Sequence, residues 1–175
     1  HSWNSVSVSS VPAKGNANAL ITVTGLGFHP DLVYKCEFGS GDQQIGSKAL
    51  FRDHHLLLCP ILTWPYAGAK TSFRIMAENM EVIYKQNTSF EFEFYEGWDK
   101  VVLSPISGTL EGPLSGGTGL KVHGYGFDFL SSYTCVFYDQ TSQISSPAKV
   151  ISTTEVRCLT ASWGESHPSA WSALT

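Results

Sequence analysis

The chain has 175 residues, of which 42% are hydrophobic and 15% charged, and a formal net charge of −4 at neutral pH. That apolar share is ample for a packed core and excludes a disordered polar chain, while the mildly acidic balance offers no footprint for a nucleic-acid backbone or an anionic membrane surface. No apolar run approaches the roughly 18 residues of a membrane-crossing helix, so no direct membrane insertion is expected of this segment.

The opening His1-Ser2-Trp3 has neither a basic nor an apolar leader region, and the lack of an initiating Met implies a processed N-terminus or a piece of a longer chain. The first predicted strand, Leu20 to Thr24, runs into Gly25-Leu26-Gly27-Phe28. Those glycines permit positive φ in a tight turn or bulge, and the Phe then caps the core. A nucleotide loop is excluded, because no further glycine, helix or Lys-Ser/Thr follows. Next, Tyr34, Cys36 and Phe38 alternate with Val33, Lys35 and Glu37, which predicts a strand with the first set inward.

Asp53-His54-His55 leads into Leu56-Leu57-Leu58-Cys59, a strand apolar on both faces. Its outward residues Leu56 and Leu58 are a candidate partner surface, since contiguous exposed apolar area marks interfaces. Coverage by the protein's own loops or by the second half of the chain is the alternative. The two histidines near Cys59 could serve nucleophilic catalysis or zinc, yet a nucleophile and base need a third, orienting group, and a loop Asp-His-His is ordinarily solvated polar surface. Further strands are predicted at Ser72 to Met76 and at Phe90-Glu91-Phe92-Glu93-Phe94, with phenylalanines inward and Glu91 and Glu93 on a solvated face rather than in a glycosidase cleft. Between them, Asn87-Thr88-Ser89 is a glycosylation sequon that makes Asn87 a candidate glycan site.

The remainder repeats what came before. At an offset of 99, Gly25-Leu26-Gly27-Phe28 falls on Gly124-Tyr125-Gly126-Phe127, Tyr34, Cys36 and Phe38 on Tyr133, Cys135 and Phe137, Cys59 on Cys158, and Trp64 on Trp163. Counted without gaps from Val23 to Trp64, 13 of 42 positions are identical, far beyond chance, so the chain is a tandem duplication. Residues 1–97 form repeat 1 and residues 98–175 repeat 2. Gly97-Trp98 is too short for a flexible linker, which predicts a semi-rigid rod with Trp98 between the copies. Strands of repeat 2 are predicted at Leu120 to His123, around Cys135, at Lys149 to Ser152 and around Cys158; no amphipathic helix is evident. Ala77 to Glu96 has no counterpart after Thr175, so the last strands of repeat 2 are expected to be missing or supplied from elsewhere.

Four cysteines permit three pairings, and the repeat favours Cys36 with Cys59 and Cys135 with Cys158. Such bridges imply an oxidising compartment, hence an extracellular or cell-surface location. Four buried free thiols in an intracellular protein remain the alternative. Zinc is disfavoured, because repeat 2 has Thr153 and Thr154 where repeat 1 has its histidines and yet keeps both cysteines. No metal, cofactor or catalytic residue is expected.

Short strands separated by Gly, Pro and Ser turns indicate an all-β fold of two tandem Ig-like sandwiches, each with one intradomain disulfide. Neither Cys interval contains the Trp of antibody domains. Repeat 2 instead carries Pro105-Ile106-Ser107-Gly108, Gly116-Gly117 before a strand ending in Gly124-Tyr125-Gly126-Phe127, then Cys135-Val136-Phe137 and a strand ending in Cys158. This resembles the IPT/TIG domain family. Repeat 1 departs from the pattern: it lacks the Gly-Gly and opens with Val11-Pro12-Ala13-Lys14-Gly15, although its Cys59-Pro60 is similar to the family's strand ending. The resemblance implies modules of cell-surface receptors such as plexins, accessory modules of bacterial glycanases, or DNA-binding and dimerisation domains of Rel-type transcription factors, none of them catalytic alone.

The expected function is therefore a non-catalytic extracellular structural or adhesion module of a longer repeat protein, such as a receptor ectodomain or an extracellular filament, with a protein partner or self-association. The alternative is a carbohydrate-binding ancillary module of a secreted enzyme, with a glycan stacked on Trp64, Tyr66, Trp98, Trp163 or Trp171. The recurrence of Trp64 and Trp163 at one repeat position favours a structural place for those two.

Overall fold

The computed structural model describes residues 1–16, 19–86, 89–104, 111–164 and 173–174. The chain is all-β over these residues and divides into two compact units, His1–Glu96 and Gly97–Thr175.

Unit 1 contains β1 (Ser2–Val6), β2 (Ser10–Pro12), β3 (Leu20–Leu26), β4 (Tyr34–Ser40), β5 (Gln43–Lys48), β6 (Leu50–Asp53), β7 (Leu56–Pro60), β8 (Ala69–Ala77), β9 (Met80–Glu81), β10 (Ile83–Tyr84) and β11 (Phe90–Tyr95). One sheet has the order β10-β1-β3-β7-β6; the other has β2-β11-β8-β4-β5, with β9 added to β8. The alternation of polar and apolar residues sets which face is buried. Tyr34, Cys36 and Phe38 of β4 point inward, as do Phe92 and Phe94 of β11, whereas Lys35, Glu91 and Glu93 are exposed. Between the sheets lies an aromatic core in which Phe38 packs on Phe73, Phe92 and Phe94, and Trp64 stacks on Phe94 with ring centroids 5.0 Å apart. Burying each such ring contributes on the order of 1.5–3 kcal/mol. The Cys36–Cys59 disulfide joins β4 to β7 and so ties one sheet to the other.

Unit 2 contains β12 (Gly97–Ser104), β13 (Gly119–Tyr125), β14 (Tyr133–Tyr138), β15 (Gln143–Ser152), β16 (Glu155–Leu159) and β17 (Ala173–Leu174), in the order β12-β13-β16-β15-β14-β17. The chain of pairings is continuous because β15 changes partner midway. Its first half pairs with β14 and its second with β16, and Ala148 is in register with both Tyr133 and Cys158. In unit 1 the same passage is split into β5 and β6 at Ala49, whose N–H donates to the Tyr34 carbonyl at 2.9 Å. A strand that switches sheets in this way forms a sandwich corner. The Cys135–Cys158 disulfide then spans the fold as its counterpart does in unit 1.

Gly97 and Trp98 are not a linker. They open β12 opposite Tyr125 and Gly124, the register that Ser2 and Trp3 take opposite Leu26 and Gly25 in β1. The reason is a shift in offset. Trp3 and Trp98 are 95 residues apart, not 99, so a gapless comparison cannot align them. Trp3 is 1% exposed, packed on Tyr84, Phe73 and Phe90, whereas Trp98 is 44% exposed.

Candidate partner surfaces

The repeated Gly-x-Gly-Phe is occupied with backbone work in both units. Gly27 and Gly126 have φ of +77° and +75°, where an L side chain is strained. A Cβ on Gly25 would collide with the Ser2 carbonyl, and one on Gly124 with the Gly97 carbonyl. The phenylalanines that follow are buried, Phe28 against Tyr34 and Phe127 against Tyr133. Each Tyr hydroxyl accepts the N–H of the residue after that Phe, His29 or Asp128, at 3.0 Å.

The Asp-His-His segment serves the same turn. Gly25 and Phe28 donate their N–H groups to the carbonyls of His55 and His54, and in unit 2 Gly124 and Phe127 do the same with Thr154 and Thr153. A histidine is therefore not required there. The rings of unit 1 add two local contacts, His54 Nδ1 with the Phe28 carbonyl at 2.7 Å and His55 Nδ1 with that of Gly25 at 3.4 Å, while Asp53 accepts the His55 N–H at 2.7 Å. With Cys59 disulfide-bonded, no cluster of three metal-ligating side chains occurs among the described residues.

Trp64 and Trp163 are 2% and 9% exposed. Trp64 Nε1 donates to the Ala67 carbonyl at 2.7 Å, and Tyr66 packs edge-on against the Trp64 ring. The backbone N–H groups of Trp64 and Trp163 donate to Ala13 and Leu114, each inside a Pro-x-x-Gly turn closed from Gly15 to Pro12 or from Gly116 to Pro113. Both tryptophans are thus buried, with little ring surface left for stacking. This equivalence of Pro12–Gly15 with Pro113–Gly116 was hidden from the sequence by an offset of 101. Asn87, Trp171 and the Pro105–Gly108 opening lie outside the described residues.

Leu56 and Leu58 lie on the outward face of β7, half-buried, with Leu57 and Cys59 inward. Register places Leu58 between Thr22 and Leu50, and Leu56 between Thr24 and Asp53. Leu50, Leu20 and Leu26 on the same sheet are 51%, 43% and 45% exposed, so the outward face of this sheet carries a group of leucines interspersed with Thr22, Thr24 and Asp53. Unit 2 differs at the same register. Glu155 and Arg157 occupy the places of Leu56 and Leu58, and Arg157 Nε donates to Glu155 Oε1 at 2.5 Å. That bond first, and then the charges of Arg157 and Lys121 with a smaller Coulombic effect from His123, outweigh desolvation and hold the Glu155 carboxyl below the usual carboxylate range.

No family model and no curated protein matches the chain. Among solved structures, the plexin A4 full extracellular region, domains 1 to 10, aligns over 93% of this chain at 14% identity with a TM-score of 0.37. A second plexin A4 ectodomain structure, domains 1 to 8, aligns over 93% at 10% identity with a TM-score of 0.39. The chain spans only 13% and 23% of those two chains.

Proposed function

We propose that the chain is a pair of IPT/TIG-type modules acting as a non-catalytic structural or adhesion segment of an extracellular or cell-surface protein, part of a longer repeat array. The observation that carries this reading is the spending of the repeated residues. Cysteines, glycines, tyrosines and tryptophans common to both units are consumed by a cross-sheet staple, a positive-φ turn, a hydroxyl clamp and a core plug. A sequence that preserves scaffold in this way leaves recognition to its outward faces. The paired bridges favour an oxidising compartment, and the aliphatic face around Leu50, Leu56 and Leu58 favours a protein partner, another copy of the chain included.

Peptide mapping and intact mass of protein from its natural source, before and after reduction, test the compartment. Two bridges, each adding two hydrogens on reduction, support it; four free thiols overturn it. For the partner face, Leu58→Glu should abolish any self-association seen by sedimentation and leave the fold intact, because Arg157 stands at the equivalent place in unit 2.

A further inference from the structure

All four Lys and Arg residues of unit 2 project from one face of one sheet. Lys100, Lys121, Lys149 and Arg157 are the only such residues between Gly97 and Thr175. Each alternates with an inward residue: Val101, Leu120 and Val122, Ala148 and Val150, or Val156 and Cys158, all of which form or pack on the core. Register sorts the outward residues into rows. Lys121 pairs with Arg157 and Arg157 with Lys149, three cations directly opposite one another on β13, β16 and β15; the adjoining row runs Lys100, His123, Glu155 and Ser152. Glu155 is the one carboxylate in these two rows, and it accepts from Arg157 Nε, leaving the other guanidinium nitrogens to meet a ligand. Beside them lies a shallow hollow of about 530 Å³, its rim formed by Ser104, Gly119, Pro147, Lys149, Arg157 and Leu159.

Like charges directly opposite across strands are destabilising, and the fold does not demand them. Unit 1 builds the same row from Thr22, Leu58 and Leu50. What the row offers is cations one strand apart, about 4.8 Å, close to the length of one pyranose ring along a polysaccharide chain.

We propose that this face of unit 2 binds a sulfated polysaccharide laid across β13, β16 and β15, with sulfates on successive sugars meeting Lys121, Arg157 and Lys149 and the ring edges resting over the hollow. The proposal rests on the extracellular reading for its choice of ligand. Recognition is by charge and spacing and needs no stacked aromatic. The short row of three cations, with no element beside it that could enter a groove, distinguishes this ligand from a duplex read by its base edges.

The test uses the full two-unit chain on immobilised heparin at graded salt. Retention above physiological ionic strength is expected, with affinity weakened by about tenfold to a hundredfold in the variant Lys121→Ser, Lys149→Ser, Arg157→Ser. An equal charge change in unit 1, made by Lys35→Ser, Lys70→Ser and Arg52→Ser, should leave retention unchanged. Removing opposed cations relieves repulsion while losing Arg157 frees Glu155 of its partner, two small and opposing effects at an exposed face, so the unit 2 triple variant should melt close to the parent. Chemically desulfated heparin, tested on the unaltered protein, should not bind, and this comparison decides the matter even if a variant folds poorly. Absence of retention, retention of the unit 2 variant equal to the parent, or binding of desulfated heparin overturns the proposal. Tighter binding to phosphatidylserine vesicles or to duplex DNA than to heparin also overturns it. None of these outcomes depends on the disulfide mapping, so the two readings fail separately.

Discussion

Glycine at the third position before the buried Phe is fixed by space, not by flexibility. Gly25 and Gly124 lack positive φ, yet a methyl group at either would overlap a backbone carbonyl of the neighbouring strand and the ring of Phe28 or Phe127. Gly25→Ala and Gly124→Ala should therefore each destabilise their own unit by about 1–3 kcal/mol, read as a lower urea midpoint with an unchanged m-value. Glu155 illustrates a weaker, titratable contribution. Its folded-state pKa is lowered by Arg157, so the stabilisation is present above the unfolded-state value and fades as pH falls through the folded one. The group is solvent-exposed and its ion pair is screened by salt. Thermal midpoints of the parent and Glu155→Gln should differ slightly at neutral pH and converge in acid; a gap that widened as pH fell would contradict the assignment.

Two strands at equivalent register show how an element's energetics follow from what covers it. Trp3 opens β1 and is enclosed by Tyr84 of β10, Phe73 of β8 and Phe90 of β11, while Trp98 opens β12 and is 44% exposed. Trp3→Ala should cost about 3–5 kcal/mol in unit 1 and Trp98→Ala about 1 kcal/mol or less in unit 2, measured by chemical denaturation. Period-two alternation made the strands around Cys36, Cys158 and Phe92 legible from the sequence, because each has one dry and one wet face. The cysteine pairing was equally legible, since both pairs recur at a spacing of 23 residues inside the gapless block. Edge elements without alternation, such as β9 and β10 with two residues each, carry no such signal. The kinship of β1 with β12 and of the two Pro-x-x-Gly turns was lost to small length changes. The cationic rows are not visible in the sequence for another reason: Lys121, Lys149 and Arg157 are scattered along the chain and meet only through strand register.

At the scale of the whole molecule the duplication has not produced equal halves. Among the described residues the largest fully buried side chains, from Trp3 and Trp64 to Val82, all belong to unit 1, whereas the core residues of unit 2 are 4–9% exposed. Over the described residues unit 2 thus has less apolar burial to set against chain entropy, so its bridge carries a larger share of that segment's stability. Each disulfide links cysteines 23 residues apart and contributes roughly 3 kcal/mol, largely by restricting the unfolded chain. Calorimetry of the oxidised protein should then resolve two transitions, with unit 2 melting first. Removing the unit 2 bridge with Cys135→Ala and Cys158→Ala should abolish the lower transition at physiological temperature and leave the upper one in place. Cys36→Ala with Cys59→Ala should instead lower the upper transition while unit 1 remains folded, because its aromatic core persists without the staple. A single transition that shifts in response to either pair would show that the units fold as one body and that the difference in their cores does not set their stabilities separately.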